Sequence, residues 1–298
     1  MDMKVKATSL NEKAMLVKLT TRRVALSRRD SEAELVVQDM LNDGALCVNR
    51  KLFRDKANPV NRAMSAVSEI YTYHKANTMP WQDAGPRIIA NSMYFEYCSE
   101  MKTRIAHVEA LLRKVAENWD LHVQADINFR NRCSKDKTRA TVDDYPRADE
   151  FLAGTKLDLV FTPLPDANHF LFDLADDDRV AFDHAMEEVA KGVRRDVVLR
   201  MLEPLSHLVS KLSLTVGAEG SIFRDSAIEN VIEGCELARK LNIDDDPEIA
   251  KLTKELGEVI AKVNNAKDAM RSDDTARAEA KRKLAELQSR LAPYMGSA

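Results

Sequence analysis

The sequence predicts a predominantly α-helical α+β protein with long packed helices, a small antiparallel β-sheet and a C-terminal helical hairpin or coiled coil. Glycine and proline are scarce, with 9 of each among 298 residues, which favours uninterrupted helices. Several stretches place apolar residues at steps of three and four, the spacing of helices packed lengthwise. Residues 157–172 instead contain two short strand-like runs around a turn.

Composition narrows the class of protein. Hydrophobic residues make up 45% and charged residues 31% of the chain, which is enough for a buried core under a charged surface. Aromatic content is only 6%, which argues against a β-sandwich or barrel. The net charge of −3 predicts no particular partner. However, residues 1–29 hold eight Lys or Arg and two acids, whereas residues 143–187 hold twelve acids and three basic residues.

The four cysteines, Cys47, Cys98, Cys133 and Cys235, lie far apart and form no CxxC pair. This spacing is typical of reduced, buried thiols rather than of disulfides or a metal site. No N-terminal apolar run resembles a signal peptide, and no run reaches membrane-spanning length. We therefore expect a cytoplasmic protein that does not enter the membrane.

The N-terminal elements are predicted from local signals. We expect a short strand at residues 15–20, although its apolar residues fit neither helical nor strand spacing cleanly. Asp30 can accept the free backbone N–H groups at the start of a helix over residues 32–42. A short basic element follows, and residues 58–76 predict a second helix, whose early proline is tolerated in the first turn.

Residues 79–119 predict the spine of the fold. The stretch opens with a rigid turn formed by Pro80-Trp81 and Gly85-Pro86, after which we expect residues 87–89 to pair as a short strand. A long helix should follow, because eight residues recur at steps of four and three. These residues are Tyr94, Cys98, Met101, Ile105, Val108, Leu112, Val115 and Trp119.

Residues 126–145 show no clear apolar periodicity and are rich in basic side chains. We expect a mobile basic loop here, followed by a short helix over residues 146–153. Residues 157–162 and 169–172 then predict a hairpin. Because a lone hairpin is marginal in water, it should recruit residues 87–89 or 15–20 into a small sheet.

The remaining elements are helices. A second long helix is predicted over residues 179–212, with a kink or break at Pro204, since an interior proline costs about 3 kcal/mol. Residues 247–271 and 276–291 carry further apolar seams. They fit either a hairpin that turns at Ser272, which we favour, or one helix roughly 65 Å long.

Three regions are expected from this order of elements. The first is a mainly helical region with a basic arm, residues 1–130. The second holds the hairpin and the long helix, residues 145–245. The third is the C-terminal helical region, residues 246–298.

No sequence pattern points to catalysis, to a cofactor or to a metal. The six histidines form no HxxxH or HExxH motif. Residues 176–178 are three aspartates in front of a predicted helix, where capping is the simpler interpretation than cation binding. Phosphate-binding GxxxxGK[ST] and GxGxxG loops and a GxSxG nucleophile motif are also missing. We expect a non-enzymatic protein, although catalytic sites can assemble from distant residues.

The stretch YPRADEFLAGTKLDLVFTPLPDANHFLFDL, residues 145–174, resembles a family of uncharacterised proteins encoded by bacteriophages and mobile elements. Further positions are similar to the family, and the resemblance spans about residues 79–257. They are Pro80, Trp81, Gly85, Arg87, Tyr94, Phe95, Phe223, Arg224, Asp225, Ser226, Asn230, Leu241, Asn242, Ile243, Asp246, Pro247 and Glu248. The resemblance brings no catalytic residues, and it implies a phage or mobile-element origin in an infected bacterial host.

Two functions are compatible with these observations. The leading hypothesis is a protein that self-assembles and acts through contacts with phage or host proteins, because the helical seams and opposite charges suit contact between copies. The alternative is binding of nucleic acid, single-stranded DNA or RNA, through basic side chains and a stacking aromatic. The candidate residues are Arg22, Arg23, Arg28, Arg29, Trp81, Arg130, Arg132, Lys135 and Lys137.

Overall fold

The computed structural model describes residues 12–81, 85–134, 140–165, 176–243 and 245–295. The predicted fold class is confirmed: the protein is a mostly helical α+β structure with a small four-stranded antiparallel sheet and a C-terminal helical pair. Among the described helices, none is both long enough and apolar enough to span a membrane.

The elements are numbered along the chain. The strands are β1 (Ala14–Arg22), β2 (Ser27–Arg29), β3 (Asn49–Lys51), β4 (Met79–Pro80), β5 (Arg87–Ala90) and β6 (Lys156–Pro163). The helices are α1 (Ser31–Leu41), α2 (Pro59–Ala76), α3 (Tyr94–Glu117), α4 (Trp119–Cys133), α5 (Ala148–Gly154), α6 (Asp176–Leu212), α7 (Asp225–Leu241), α8 (Pro247–Asn265), α9 (Lys267–Ser272) and α10 (Asp274–Leu291).

The larger sheet has the strand order β4-β5-β1-β6. Strands β1 and β5 are antiparallel, with Ala14 opposite Ala90 and Val17 opposite Arg87. Both segments that the sequence offered as partners of the predicted hairpin therefore join the sheet. The first predicted hairpin strand is β6, whereas the second, residues 169–172, lies outside the described residues.

By its internal contacts the chain divides into two compact units. The first comprises the described parts of Met1–Lys18, Ala76–Glu96 and Val160–Ala298, and the second comprises those of Leu19–Lys75 and Tyr97–Leu159.

The first unit is built on α6, which packs on α7 and α10, while α7 also packs on α8. The sequence predicted a kink or a break at Pro204, and the break does not occur, because α6 runs without interruption from Asp176 to Leu212. Proline lacks the N–H that would bond the carbonyl of Arg200 four residues earlier. Gly234 of α7 lies against that carbonyl: a Cβ there would be 2.6 Å from the Arg200 oxygen. The helix crossing therefore requires a residue without a side chain at Gly234.

The C-terminal pair confirms the favoured hairpin over a single long helix. Helices α8 and α10 pack on each other, and the short α9 joins them. Asp273 caps α10 by accepting a hydrogen bond from the backbone N–H of Thr275, at 2.8 Å. Arg277, only 3% exposed, donates to the carbonyl oxygens of Met270, Leu214 and Ser221. This guanidinium ties the α9 end to the loop after α6.

The second unit has an aromatic core. The rings of Phe53 and Trp119 have centroids 5.3 Å apart, and Phe53 also meets Tyr145 edge-on at 5.2 Å. Trp119 lies 4.6 Å from Phe151 of α5. The Trp119 indole donates to the Pro146 carbonyl at 2.8 Å, so its polar edge is satisfied inside the core.

The predicted mobile basic loop at residues 126–145 is wrong over its first part, because α4 continues to Cys133. The buried residues of α4 are Trp119, Val123, Asp126 and Arg130, at steps of four, three and four. This spacing is helical, but two of the four buried residues, Asp126 and Arg130, are charged. Apolar spacing alone therefore ends at Val123, almost three turns before the end of the helix. Residues 135–139 lie outside the described part of the chain.

Candidate functional site

A buried polar cluster of the second unit centres on Asp126, which is fully buried. Its carboxylate accepts from the backbone N–H groups of Phe53 and Arg54, both at 2.9 Å. It also accepts from the Tyr145 hydroxyl at 2.6 Å and from Nε of Arg130 at 2.8 Å. A buried carboxylate needs such partners, since an unpaired one is strongly disfavoured. We call Asp126, Arg130 and Tyr145 the anchor.

The anchor binds one short segment of backbone. Arg130 donates its second hydrogen bond to the carbonyl of Lys51, so the anchor holds residues 51–54 from both ends. Burial raises the pKa of Tyr145, and its hydrogen bond to Asp126 raises it further. For Arg130, burial lowers the pKa, but the hydrogen bond and charge of Asp126 outweigh it and the net direction is upward. Tyr145 therefore stays a neutral donor and Arg130 a cation.

Phe53 sits in the left-handed region, with φ of 50°. A bulky residue with positive φ is a strained outlier, and such strain persists only where the surroundings over-determine it. Here the N–H of Phe53 is bonded to Asp126, its carbonyl accepts from the Asn61 amide at 2.5 Å, and its ring is fully buried. Lys51 and Arg54, on either side of this fixed turn, are exposed.

The turn continues into a two-stranded ribbon, β2–β3, in which Arg28 faces Arg50. Helix α1 connects the two strands. Glu34 of α1 accepts two hydrogen bonds from Arg29 and one from the backbone N–H of Val48. The hydrogen bond from Arg29 lowers the pKa of Glu34. The Gln38 amide donates to the carbonyl of Leu46 at 2.6 Å. Helix α1 therefore contacts Leu46 and Val48 through polar groups.

Helix α1 is inverted relative to an ordinary surface helix, whose apolar face points to the core. Its single buried residue is the polar Glu34. Four large apolar side chains of the same helix are exposed: Leu35 at 67%, Val36 at 55%, Met40 at 77% and Leu41 at 65%. With about 100° between successive residues, Leu35, Val36 and Met40 lie on one side of the helix, whereas Leu41 lies on the side of Glu34. We call Leu35, Val36 and Met40 the outward face of α1. Contiguous exposed apolar residues of this kind mark interaction sites in soluble proteins.

Several cations of the second unit are exposed and have no ion-pair partner in the part of the chain that the structure describes. Arg22 and Arg23 lie at and just after the end of β1, Arg28 lies on β2, and Lys51 and Arg54 flank Phe53. By contrast, Arg50 is within 3.6 Å of both Asp30 and Asp144.

The structure separates the sequence-predicted site residues. Arg22, Arg23 and Arg28 are exposed, whereas Arg29 is engaged with Glu34. Arg130 is 9% exposed and belongs to the anchor. The remaining candidates lie elsewhere: exposed Arg132 over the Phe129 ring on α4, Trp81 in the first unit, and Lys135 and Lys137 outside the described residues.

Sequence reasoning missed the anchor and the outward face. Asp126 and Arg130 carry a readable signal, an acid and a base four residues apart on one helical face. The inversion of α1 has no corresponding signal in the sequence, because the spacing of its apolar residues does not indicate which face is buried. Lys51 and Arg54 stand in the short basic element between predicted helices, and only the fold exposes them together.

A groove of about 770 Å³ opens beside the ribbon in the second unit. Leu52, Trp119 and Val123 contribute its apolar lining, and Arg28 and Asp143 are among its charged residues. Its carboxylates outnumber its guanidinium groups, with five Asp or Glu against two Arg. The groove is thus unsuited to a phosphate group, which the excess negative charge would repel.

The described side chains offer no metal centre: no group of three His, Cys, Asp or Glu converges among them. The cysteines divide by exposure, since Cys47 and Cys133 are exposed and Cys235 is buried. The expectation of buried thiols thus holds for Cys235 and not for the two exposed cysteines. Burial raises the pKa of the Cys235 thiol to about 11, which keeps it protonated and unreactive near neutral pH.

Comparisons of this chain with protein-family models, with curated proteins and with solved structures find no match. The resemblance to a phage or mobile-element family stays a prediction from the residues that carry it.

Proposed function

We propose that this chain is a non-enzymatic, self-assembling protein, and that the outward face of α1 packs against the same face of a second copy. The inversion of α1 carries the proposal. Its buried contacts are polar, while Leu35, Val36 and Met40 are left in solvent. Covering these side chains is favourable by roughly 25 cal/mol for each Å² of apolar surface removed from water.

Charge supports a second copy as the occupant. Helix α1 contains Glu32 and Asp39 but no Lys or Arg. Arg28 lies just before its N-terminus, exposed and without an ion-pair partner in the described chain, and Asp39 is exposed near its C-terminus. In an antiparallel pair related by a two-fold axis, each Arg28 would approach Asp39 of the other copy. The interface would then be self-complementary, as a two-fold axis requires.

The expected strength follows from the size of the surface. Stable interfaces bury about 800 Å² on each partner, and three side chains on one side of an 11-residue helix provide less than that. We therefore expect a concentration-dependent association rather than a permanent dimer, with a dissociation constant of order 1 μM to 1 mM.

Native mass measured by light scattering over a concentration series tests the proposal. The wild-type chain should move from monomer towards dimer, and Met40→Glu should stay monomeric, because a charge would be buried in the interface. Val180→Glu is the matched control, since Val180 is also a largely exposed apolar residue, at 68%, on α6. A wild-type chain that stays monomeric throughout, or equal masses for Met40→Glu and wild type, would refute the proposal.

A second function, nucleic-acid binding, is supported by one observation: Arg22, Arg23, Lys51 and Arg54 are exposed and unpaired within the described chain. Cations in this state can replace the counterions of a phosphate backbone. Measured affinity for DNA or RNA should fall steeply as salt is raised from about 50 to 200 mM. An affinity that does not change over this range would contradict it.

A further inference from the structure

We propose that pairing through α1 turns the cations around the strained turn into a bivalent site for the phosphate backbone of nucleic acid. Arg22, Arg23, Lys51 and Arg54 form what we call the cationic cluster. The inference rests on the proposed self-assembly and adds to it a ligand class and a link between assembly and binding.

The cationic cluster is held together by the chain. The ribbon extends by one residue pair beyond Ser27 and Lys51, because the N–H of Leu52 donates to the carbonyl of Leu26 at 2.9 Å. Arg23 lies three residues before Leu26, which is at most about 11 Å of extended chain. Lys51 and Arg54 lie on the paired side, immediately before and after Leu52 and Phe53. All four cations therefore stand within four residues of the Leu26–Leu52 pair.

The anchor fixes half of this cluster in advance. Asp126 binds the N–H groups of Phe53 and Arg54, and Arg130 binds the carbonyl of Lys51. The backbone on which Lys51 and Arg54 stand thus loses little freedom when a ligand binds, and pre-organisation of this kind reduces the entropic cost of association. The strain at Phe53 is consistent with a turn retained for what it presents.

The cationic cluster and the outward face share no residue, so both can be occupied together. An 11-residue helix such as α1 is about 16 Å long. In an antiparallel pair the two ribbons lie at opposite ends, so the two clusters are separated by about that distance or more. A duplex with a rise of about 3.4 Å per base pair must therefore be several base pairs long to contact both clusters.

The salt dependence gives the expected magnitude. Neutralising Z phosphates of duplex DNA gives a slope of log K against log salt of about −0.9Z. One cluster of four cations predicts a slope of about −3.6, and two linked clusters predict about −7. Bivalent contact also raises affinity by about 10²-fold or more when the second contact becomes intramolecular.

Fluorescence anisotropy with the full chain tests the proposal with two labelled duplexes, a 24-base-pair DNA and a hairpin with a 4-base-pair stem, which at about 14 Å is too short to reach both clusters. Wild type should bind the long duplex more tightly, with the steeper slope. Met40→Glu should bind both duplexes with the single-cluster slope. The pair Lys51→Glu and Arg54→Glu should lose binding to both and still dimerise in light scattering. The matched control is Arg113→Glu with Lys114→Glu, two exposed α3 cations of the same unit, which should leave binding unchanged.

The outcomes separate the two proposals. If Met40→Glu is monomeric but keeps the wild-type slope and length dependence, the link fails while self-assembly stands. If the Lys51 and Arg54 variant binds as wild type does, the cationic cluster is not the site. Poly-L-glutamate that competes as well as DNA, charge for charge, would show a surface for acidic proteins and overturn the nucleic-acid assignment. A wild-type chain that is monomeric at all concentrations would contradict the proposed self-assembly, on which this inference rests.

Discussion

Helices α8 and α1 contrast in how they use an amphipathic sequence. Helix α8 buries Ile249, Leu252, Leu256, Ile260 and Val263 against its own unit. Helix α1 buries one glutamate and leaves four large apolar side chains outside. The single chain accounts for the pattern of α8 and leaves that of α1 unexplained. The contrast teaches that an apolar seam can be used within the chain or between chains, and that burial of the opposite face distinguishes the two.

The same substitution in the two helices should give the largest difference. Leu256 is fully buried, so Leu256→Glu places an unpaired carboxylate in the core and should cost more than about 4 kcal/mol, enough to unfold the first unit. Leu35→Glu should change the unfolding free energy of the monomer by about 0.5 kcal/mol or less. Urea titrations at low protein concentration measure both. Equal losses would show that the outward face is part of a core.

A second comparison concerns the polar core of the second unit. Asp126→Ala leaves a guanidinium, a hydroxyl and two backbone N–H groups without their acceptor, so we expect a loss of about 3–5 kcal/mol in unfolding free energy. Asp120 is exposed on the same helix, and Asp120→Ala should cost about 0.5 kcal/mol or less. Thermal unfolding of both variants measures the difference, and an Asp126→Ala variant as stable as Asp120→Ala would show that the anchor is dispensable.

Two helical glycines sharpen the comparison within the first unit. At Gly234 a Cβ would meet the Arg200 oxygen at 2.6 Å, whereas at Gly257 nothing lies within 4 Å. Gly234→Ala should therefore destabilise by about 1–3 kcal/mol. Gly257→Ala should stabilise by about 0.4–1 kcal/mol, since it restricts the unfolded chain. Opposite shifts in the denaturation midpoint are expected, and shifts of the same sign would contradict the close approach of α6 and α7.

The smallest expected effect is an acid-dependent loosening of α1. The pKa of Glu34 is lowered in the folded chain by its hydrogen bond with Arg29. Its contribution is therefore fully present above the unfolded value of 4.5 and is lost as the pH falls through the lower folded value. Amide exchange measured from pH 6 downward should show protection at Val48 falling in this range, and Glu34→Gln should remove the dependence. Unchanged protection at Val48 would contradict the role of Glu34.

Elements whose periodicity comes from apolar residues were predictable. The seams of α3, α6, α8 and α10 place the long helices, and the C-terminal hairpin follows from the cap at Asp273. Helix α4 was not predicted as an element, since the preceding helix was expected to end near Trp119 and a loop was expected from residue 126. Asp126 and Arg130 carry half of its buried face, so apolar periodicity does not reveal it. Sequence also marked Arg22, Arg23 and Arg28 as candidates. The sequence alone does not show that these three arginines are exposed whereas Arg130 is buried, since ion pairing and burial depend on residues distant in the chain.

The central claim, that α1 pairs with α1 of a second copy, is tested most directly by mixing two charge-reversed chains. Arg28→Asp and Asp39→Arg each place like charges at both ends of a symmetric pair, so each chain alone should remain monomeric at a concentration where wild type dimerises. Mixed in equal amounts, they should form a heterodimer, because both ends then hold opposite charges. Sedimentation velocity measures the three samples. A mixture no heavier than its components, or single variants as heavy as wild type, would contradict the claim.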